Sequence, residues 1–363
     1  FTRVGLEGRN QFGNGYGSTE SDSNVGDGDA VLYIAFLEGG LDGTWTSGTD
    51  FIKIDTGEGS TSDPNGMSTP APVDIDGDGL VDAIYAGDLH GNMWKFDVSS
   101  SNTSLWDNSS KRYKLFSAVD GATPVNRQPI TVRPDVGLHP LGDVLVYFGT
   151  GKYFENGDNN PSNYGTQTFY AIWDQGSNVA GRSDLQEQTV LTTATDTGGE
   201  FRVTSNIPVD WTTKEGWFMD LTDTGEISVV DPILNNGLIV FVTQVPSSNP
   251  CDFGGYSWIM EMDAVTGGWP DNPNLDVNGD GVISAADVIT SVSVDADGDG
   301  DSSNDGNPRP TGQKSTDGIL TKPTIISAGT REYKYASGSQ GGIETVVESS
   351  GLGRGRQSWE QIR

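Results

Sequence analysis

The feature that most restricts how this chain can fold is negative: its apolar residues almost never recur at helical spacing. They come instead as short β-branched and aromatic runs set between clusters of Gly, Asn and Asp. The clearest are Ala30 to Leu37, Val81 to Ala86, Val144 to Gly149, Phe169 to Trp173, Leu238 to Val245, Tyr256 to Met262 and Thr324 to Ala328. Runs of this length bounded by turn residues are written for strands. Glycine, at 50 of 363 residues, is about double its usual share of roughly 7% and follows no collagen-like period, so it reads as many tight turns. The expectation is an all-β protein of many short strands.

A looser repeat lies over these runs. Asp82-Ala-Ile-Tyr-Ala-Gly-Asp88 is followed by Gly91-Asn-Met-Trp-Lys-Phe-Asp97, Val144 to Gly149 by Thr168 to Asp174, and Leu238 to Thr243 by Trp258 to Gly267. Each unit is an apolar strand, a glycine-bearing turn and an alternating strand ending in Asp, which is how the inner hairpin of a propeller blade is written. An irregular β-propeller with quinoprotein-like blades over residues 1–363 is therefore expected ahead of a β-sandwich array, with long inserted loops. Residues 270–310, dense in Asp, Asn and Gly, read as an insertion carrying a site and a short helix from Ser284 to Thr290.

That insertion holds the most specific local motif. In Asp276-Val-Asn-Gly-Asp-Gly-Val-Ile-Ser-Ala-Ala-Asp287, oxygen ligands fall at positions 1, 3 and 5 of a calcium loop (Asp276, Asn278, Asp280). Gly281 takes the sharp turn, the Val282 carbonyl the seventh position and Ser284 the ninth, and Asp287 closes the loop. Alternate residues of a tight turn can converge on one ion, and Ca2+ requires six to eight hard oxygens. A second loop, Asp74 to Asp82, offers Asp74, Asp76, Asp78, the Leu80 carbonyl and Asp82; the apolar run after it makes its exit a strand. Four carboxylates in one loop repel without a cation. Two Ca2+ sites are expected on this basis. A third candidate, Asp295, Asp297, Asp299, Asp301 and Asp305, repeats the Asp74 spacing when read from Asp297, but with Ser302 at the turn position. A weak metal site and a solvated acidic loop fit it equally. The Asp27-Gly-Asp29 pair reads as a turn.

Charge narrows the partners. With 21 Lys and Arg against 51 Asp and Glu the net charge is −30, which argues against nucleic acid and against an anionic membrane surface. No apolar stretch reaches the roughly 18 residues of a membrane-spanning helix and no signal peptide opens the chain, so no transmembrane segment is expected. A first residue other than Met suggests a fragment of a larger protein. The single cysteine, Cys251, excludes an intrachain disulfide and a four-thiolate zinc site.

Catalytic constellations are hard to find. His90 and His139 lie in loop-like contexts and read as surface residues, and no Ser or Cys occupies a nucleophile-elbow setting. Phe148-Gly-Thr-Gly-Lys-Tyr153 lacks the spacing and helix of a phosphate loop and reads as a strand-end turn.

Taken in order, several blocks resemble the C-terminal propeller of the type IV pilus biogenesis and tip adhesin family (PilC/PilY type). They are Asp74 to Asp97, Phe148 to Tyr153, Thr166 to Asp174, Gly216 to Leu221, Cys251 to Met262, Gly318 to Pro323 and Gly355 to Trp359. The resemblance implies an exported, non-enzymatic, calcium-binding propeller at the pilus tip or outer membrane, with its calcium held by Asp74, Asp76, Asp78, Leu80 and Asp82. It further implies roles in pilus biogenesis, in the balance of extension and retraction, and in adhesion and twitching. Minor pilins of the tip complex, and a host or abiotic surface, are the implied partners. The resemblance assigns no role to the Asp276 loop. Two rivals keep a footing: a quinoprotein-like dehydrogenase, suggested by the Asp-Ala-Val-Thr-Gly ending at Gly267, and a dockerin-like docking module.

Overall fold

The computed structural model describes residues 2–6 and 27–349, apart from 123, 124, 164, 329 and 330. It is an all-β protein with only short 3-10 turns beside the strands. The described strands form five sheets divided between two compact units, the first built mainly of residues up to Pro134 and the second mainly of Asp135 onward.

In the first unit, Thr2–Leu6, Asp29–Ala35 and Phe51–Gly59 make an antiparallel three-stranded sheet. Ala71–Val73, Ala83–Gly87, Asn92–Asp97 and Arg112–Ser117 make a four-stranded meander. The inward residues of the two sheets, Leu32, Ile34, Ile52 and Ile54 on one and Ile84, Trp94 and Phe96 on the other, share a single core. Each such side chain contributes about 1.5–3 kcal/mol by leaving water.

The second unit holds the other three sheets. Asp135–Leu138, Val144–Gly149, Thr168–Asp174, Gly216–Asp220 and Gln186–Gln188 form one of five strands. A six-stranded sheet is centred on Leu238–Pro246 and Gly255–Asp263. A three-stranded sheet of Thr324–Ala328, Arg331–Ser337 and Ile343–Ser349 ends the described chain. Leu238–Pro246 is nearly all buried because both its faces are covered. Ile239 and Phe241 point into a core with Phe169 and Trp217, while Val240 and Val242 point into another with Leu275, Val277 and Ile289. Phe169 and Phe241 stack with centroids 3.8 Å apart.

The three hairpin units expected from the repeat pair as antiparallel neighbours: Ala83–Gly87 with Asn92–Asp97, Val144–Gly149 with Thr168–Asp174, and Leu238–Pro246 with Gly255–Asp263. Phe148 to Tyr153 is a strand end, where the Thr150 N–H bonds the Thr168 carbonyl at 3.0 Å. Residues 264–311 connect Gly255–Asp263 to its sheet neighbour Gly312–Lys314 without a strand of their own.

The short helix expected from Ser284 to Thr290 does not form. The Asp287 carboxylate accepts the Ser284 N–H at 2.7 Å and the Val277 N–H at 3.1 Å, and the Ile289 N–H goes to the Pro308 carbonyl. Asp287 is thus used to close the loop, and the Ile289 N–H, which a helix would direct to the Ala285 carbonyl, is spent on Pro308 instead. The histidines are also not surface residues. His139 is only 4% exposed, stacked 4.1 Å from Trp173 and edge-on to Trp211 at 4.3 Å. His90 is half-buried, its Nε2 3.4 Å from Asp63.

Candidate metal centre

Asp74 begins where strand Ala71–Val73 ends, and Asp82 precedes strand Ala83–Gly87, its antiparallel partner. The nine-residue connection folds on its own carboxylates. Asp74 accepts the N–H groups of Gly77 at 2.7 Å and Gly79 at 2.8 Å, Asp76 that of Asp78 at 3.1 Å, and Asp78 that of Leu80 at 2.8 Å. Asp82 reaches back to the Ile75 N–H at 2.7 Å, and its own N–H and carbonyl bond Val73 and Val98. These bonds turn Asp74, Asp76 and Asp78 inward, so that one carboxylate oxygen from each lies within 4.8 Å of the other two. A set of hard oxygens at that separation suits a calcium-sized cation and no soft metal. Gly79, at φ +91°, supplies the left-handed residue the turn needs.

The hairpin that follows is pinned by a buried carboxylate. Asp88 accepts Asn65 Nδ2 at 2.9 Å, the Asn92 N–H at 2.8 Å, Asn92 Nδ2 at 2.9 Å and Trp94 Nε1 at 2.8 Å. It fixes the far end of the two strands whose near ends carry Asp82 and Asp97.

The Asp276 loop repeats the same device residue for residue. Asp276 accepts the N–H groups of Gly279 and Gly281 at 2.8 and 2.7 Å, Asn278 that of Asp280 at 2.9 Å, and Asp280 that of Val282 at 2.7 Å. Asp287 closes on the Val277 and Ser284 N–H groups, and the Ser284 hydroxyl lies 3.3 Å from it. Val277, the residue between Asp276 and Asn278, is buried in the core of the second unit.

The third loop is a further copy, in a different register from the one read at Asp297. Asp295 takes the first position, accepting Gly298 and Gly300 N–H groups at 2.9 Å each. Asp297 accepts that of Asp299 at 3.1 Å, and Asp299 that of Asp301 at 2.7 Å. The oxygens of Asp295, Asp297 and Asp299 lie within 4.8 Å of one another. Gly300, not Ser302, is the turn residue, Asp301 falls at the carbonyl position, and Asp305 closes the loop on the Ala296 N–H at 3.1 Å. Ala296 is buried as Val277 is.

Two groupings escaped the sequence reading. Asp27, Asp29 and Asp55 bring carboxylate oxygens within 4.8 Å across neighbouring strands. Burial, then Asp27 and Asp55, raises the Asp29 carboxyl above its ordinary range. The second unit also buries charges. Arg202 is clamped by Glu226 at 2.6 and 2.8 Å and by Asp223 at 2.9 Å, over the Trp258 ring. Lys334 pairs with Glu261 at 2.7 Å and with Glu348, and Asn274 Nδ2 donates to Glu261 at 2.8 Å.

Comparison with known proteins places this geometry. A family profile for the PilY1 beta-propeller domain matches residues 10–198, just over half of the chain and including the Asp74 loop. The chain belongs to the PilY1 β-propeller family. A type IV pilus biogenesis factor PilY1 homolog of Xylella fastidiosa is 37% identical over 270 residues, covering 71% of this chain and 18% of that protein. The type IV pilus biogenesis factor PilY1 of Pseudomonas aeruginosa is 32% identical over 312 residues, 75% of this chain and 25% of its own. The chain thus spans a quarter or less of these relatives. The crystal structure of the Pseudomonas aeruginosa PilY1 C-terminal domain matches with a TM-score of 0.70 at 28% identity, covering 93% of this chain and 68% of that one. The propeller expected from the hairpin units is the fold of this family.

Proposed function

We propose that this chain is the calcium-binding, non-enzymatic propeller of a type IV pilus biogenesis factor, exported and displayed at the pilus tip or outer membrane. The observation that carries the reading is the convergence of Asp74, Asp76 and Asp78 within 4.8 Å, closed by Asp82, in the segment matched by the family. Asp74, Asp76, Asp78, the Leu80 carbonyl and Asp82 would hold the ion. Bound there, Ca2+ would supply no reactive group; it would offset half the charge of the loop's four carboxylates and fix the entry of the hairpin that Asp88 pins. The relatives' naming as pilus biogenesis factors supports the pilus association, with minor pilins and a host or abiotic surface as partners and with roles in adhesion, twitching and the extension–retraction balance. No helix among the described residues is long and apolar enough to cross a membrane.

The loops at Asp276 and Asp295 are proposed as second and third Ca2+ sites because they share the first loop's hydrogen bonds. Isothermal titration calorimetry of the parent chain and of an Asp78→Ala, Asp82→Ala double variant tests the assignment. The variant is expected to lose one binding event; an unchanged titration overturns it. Complementation of a strain lacking the full-length protein, scored by pilus number and twitching, tests the pilus role. The double variant is expected to shift the balance that the parent restores.

A further inference from the structure

A cleft of about 370 Å3 opens directly against the Asp74 loop within the first unit. Its lining combines Leu80 and Val81 of the loop, the aromatic side chains of Phe36 and Trp106, and the carboxylates of Asp78 and Asp82. The aromatic wall is held in place: the rings of Phe36 and Trp106 are 6.3 Å apart, and Trp106 Nε1 donates to the Ser100 carbonyl at 2.8 Å. The Leu80 side chain, 69% exposed, gains nothing where it stands. A partner side chain seated in the cleft would take Leu80 and Trp106 out of water together.

Charge selects the occupant. The lining carries two carboxylates and no Lys or Arg. With one Ca2+ bound, the four carboxylates of the loop keep a net charge of about −2, so the mouth attracts cations whether or not the ion is present. A lipid or other anionic amphiphile is repelled. A second copy of a chain carrying −30 is repelled as well. What fits is an extended peptide segment of another protein that places an aromatic or branched aliphatic side chain between Leu80 and Trp106 and a Lys or Arg beside Asp78.

We infer that this cleft is a peptide-docking site whose one wall is set by calcium, an inference that rests on the calcium reading of the same loop. The link is Leu80. Its carbonyl is the seventh position of the loop, so the ion would fix the backbone that carries the Leu80 and Val81 wall. Without the ion the carboxylates repel one another and the wall loses its template. By linkage, a peptide that requires the ordered wall tightens calcium by the same factor that calcium tightens the peptide.

The test is calorimetry of the whole chain at low salt with the synthetic peptide GKFGWKG and its acidic counterpart GEFGWEG, each with calcium and with a chelator. The basic peptide is expected to bind in calcium and about tenfold or more weakly in chelator, a loss readable directly in Kd. The acidic peptide is expected to bind in neither. Trp106→Ser, which removes the aromatic lining, is expected to weaken the basic peptide by about tenfold while the calcium titration stays as in the parent, and Ser101→Arg, which adds a cation at the exposed rim, is expected to weaken the basic peptide by about tenfold as well. Calcium binding with no preference for the basic peptide overturns the docking site and leaves the calcium reading standing. A calcium titration of the parent that matches the Asp78→Ala, Asp82→Ala variant overturns the calcium reading instead. Equal peptide affinity with calcium and chelator overturns the coupling, and calcium-dependent self-association abolished by Trp106→Ser would make the occupant a second copy and overturn the heterologous partner.

Discussion

Lys334 shows how much a single residue can hold together. It is buried with Glu261 and Glu348, and the Leu275 to Glu348 bridge and the Asn274 to Glu261 hydrogen bond tie the start of the Asp276 loop to the same cluster. Burial raises the Glu348 carboxyl well above its ordinary range, with Glu261 adding to it. Burial also works on Glu261 as the largest single effect, but the Lys334 ammonium together with hydrogen bonds from Glu348, Lys334 and Asn274 holds that carboxyl low. Replacing the lysine by Lys334→Met leaves two buried carboxylates without their cation. The expected cost is about 3–5 kcal/mol, read as a lower denaturant midpoint at unchanged slope. His139 supplies a pH dependence. Leu141 N–H donates to its Nδ1 at 3.1 Å, and burial against Trp173 and Trp211 lowers its pKa, Asp143 opposing only in part. The unfolded chain therefore takes up this proton at higher pH than the folded one. The contribution is fully present above the unfolded value of about 6.5 and is lost as pH falls toward the folded value. Between about pH 7.5 and about pH 5.5, His139→Phe is expected to lose less Tm than the parent, by about 2 °C. Equal losses would show that His139 does not contribute.

Among the elements, the three acidic loops are one device used three times, and they differ in where the closing carboxylate stands. Asp82 closes at the ninth position, Asp305 at the eleventh and Asp287 at the twelfth, each on the N–H of the second residue. Calcium titration is expected to give three binding events in the parent and two in Asp299→Ala, with the Asp74 and Asp276 sites intact. Three events in that variant would mean that the third loop is only a solvated turn. The strands and hairpins were legible in the sequence because their signal is local: Val144 to Gly149 needs only its own apolar run and the turn that follows. The turns at Asp74 and Asp276 were legible for the same reason, since the residues that fold each loop lie within it. The third loop was misread because Asp295 to Asp301 supports two overlapping frames, and only the seat of Gly300 and the return of Asp305 choose between them. The missing helix at Ser284 to Thr290 has a non-local cause, since the Ile289 N–H pairs with the Pro308 carbonyl and not with the preceding turn. Arg202 with Glu226, and Lys334 with Glu261, could not be paired from sequence because the partners stand far apart along the chain and no local pattern links them.

For the whole molecule, the charge of −30 acquires a location. Three Ca2+ ions would offset six of those charges, from −30 to −24, at the points where carboxylates are densest. The loops are divided between the two compact units, with Asp74 to Asp82 in the first and Asp276 to Asp305 in the second. Each loop's hydrogen bonds stay within its own unit: Asp82 with Val73 and Val98, Ile289 with Pro308, Leu275 with Glu348. Calcium should therefore stabilise each unit through its own loops. Filling a site to about a hundred times its dissociation constant adds about 2.7 kcal/mol to whatever opens with it. Hydrogen exchange followed by mass spectrometry reads this segment by segment. In the parent, chelation is expected to speed exchange at residues 75–80 and across Ala71–Val73 and Ala83–Gly87, and also at 277–282 and 296–301. In the Asp78→Ala, Asp82→Ala variant, the calcium effect should vanish from the first group and persist in the second. Loss of calcium protection from both groups would show that the first loop governs the folding of both units, and the local picture would have to be abandoned.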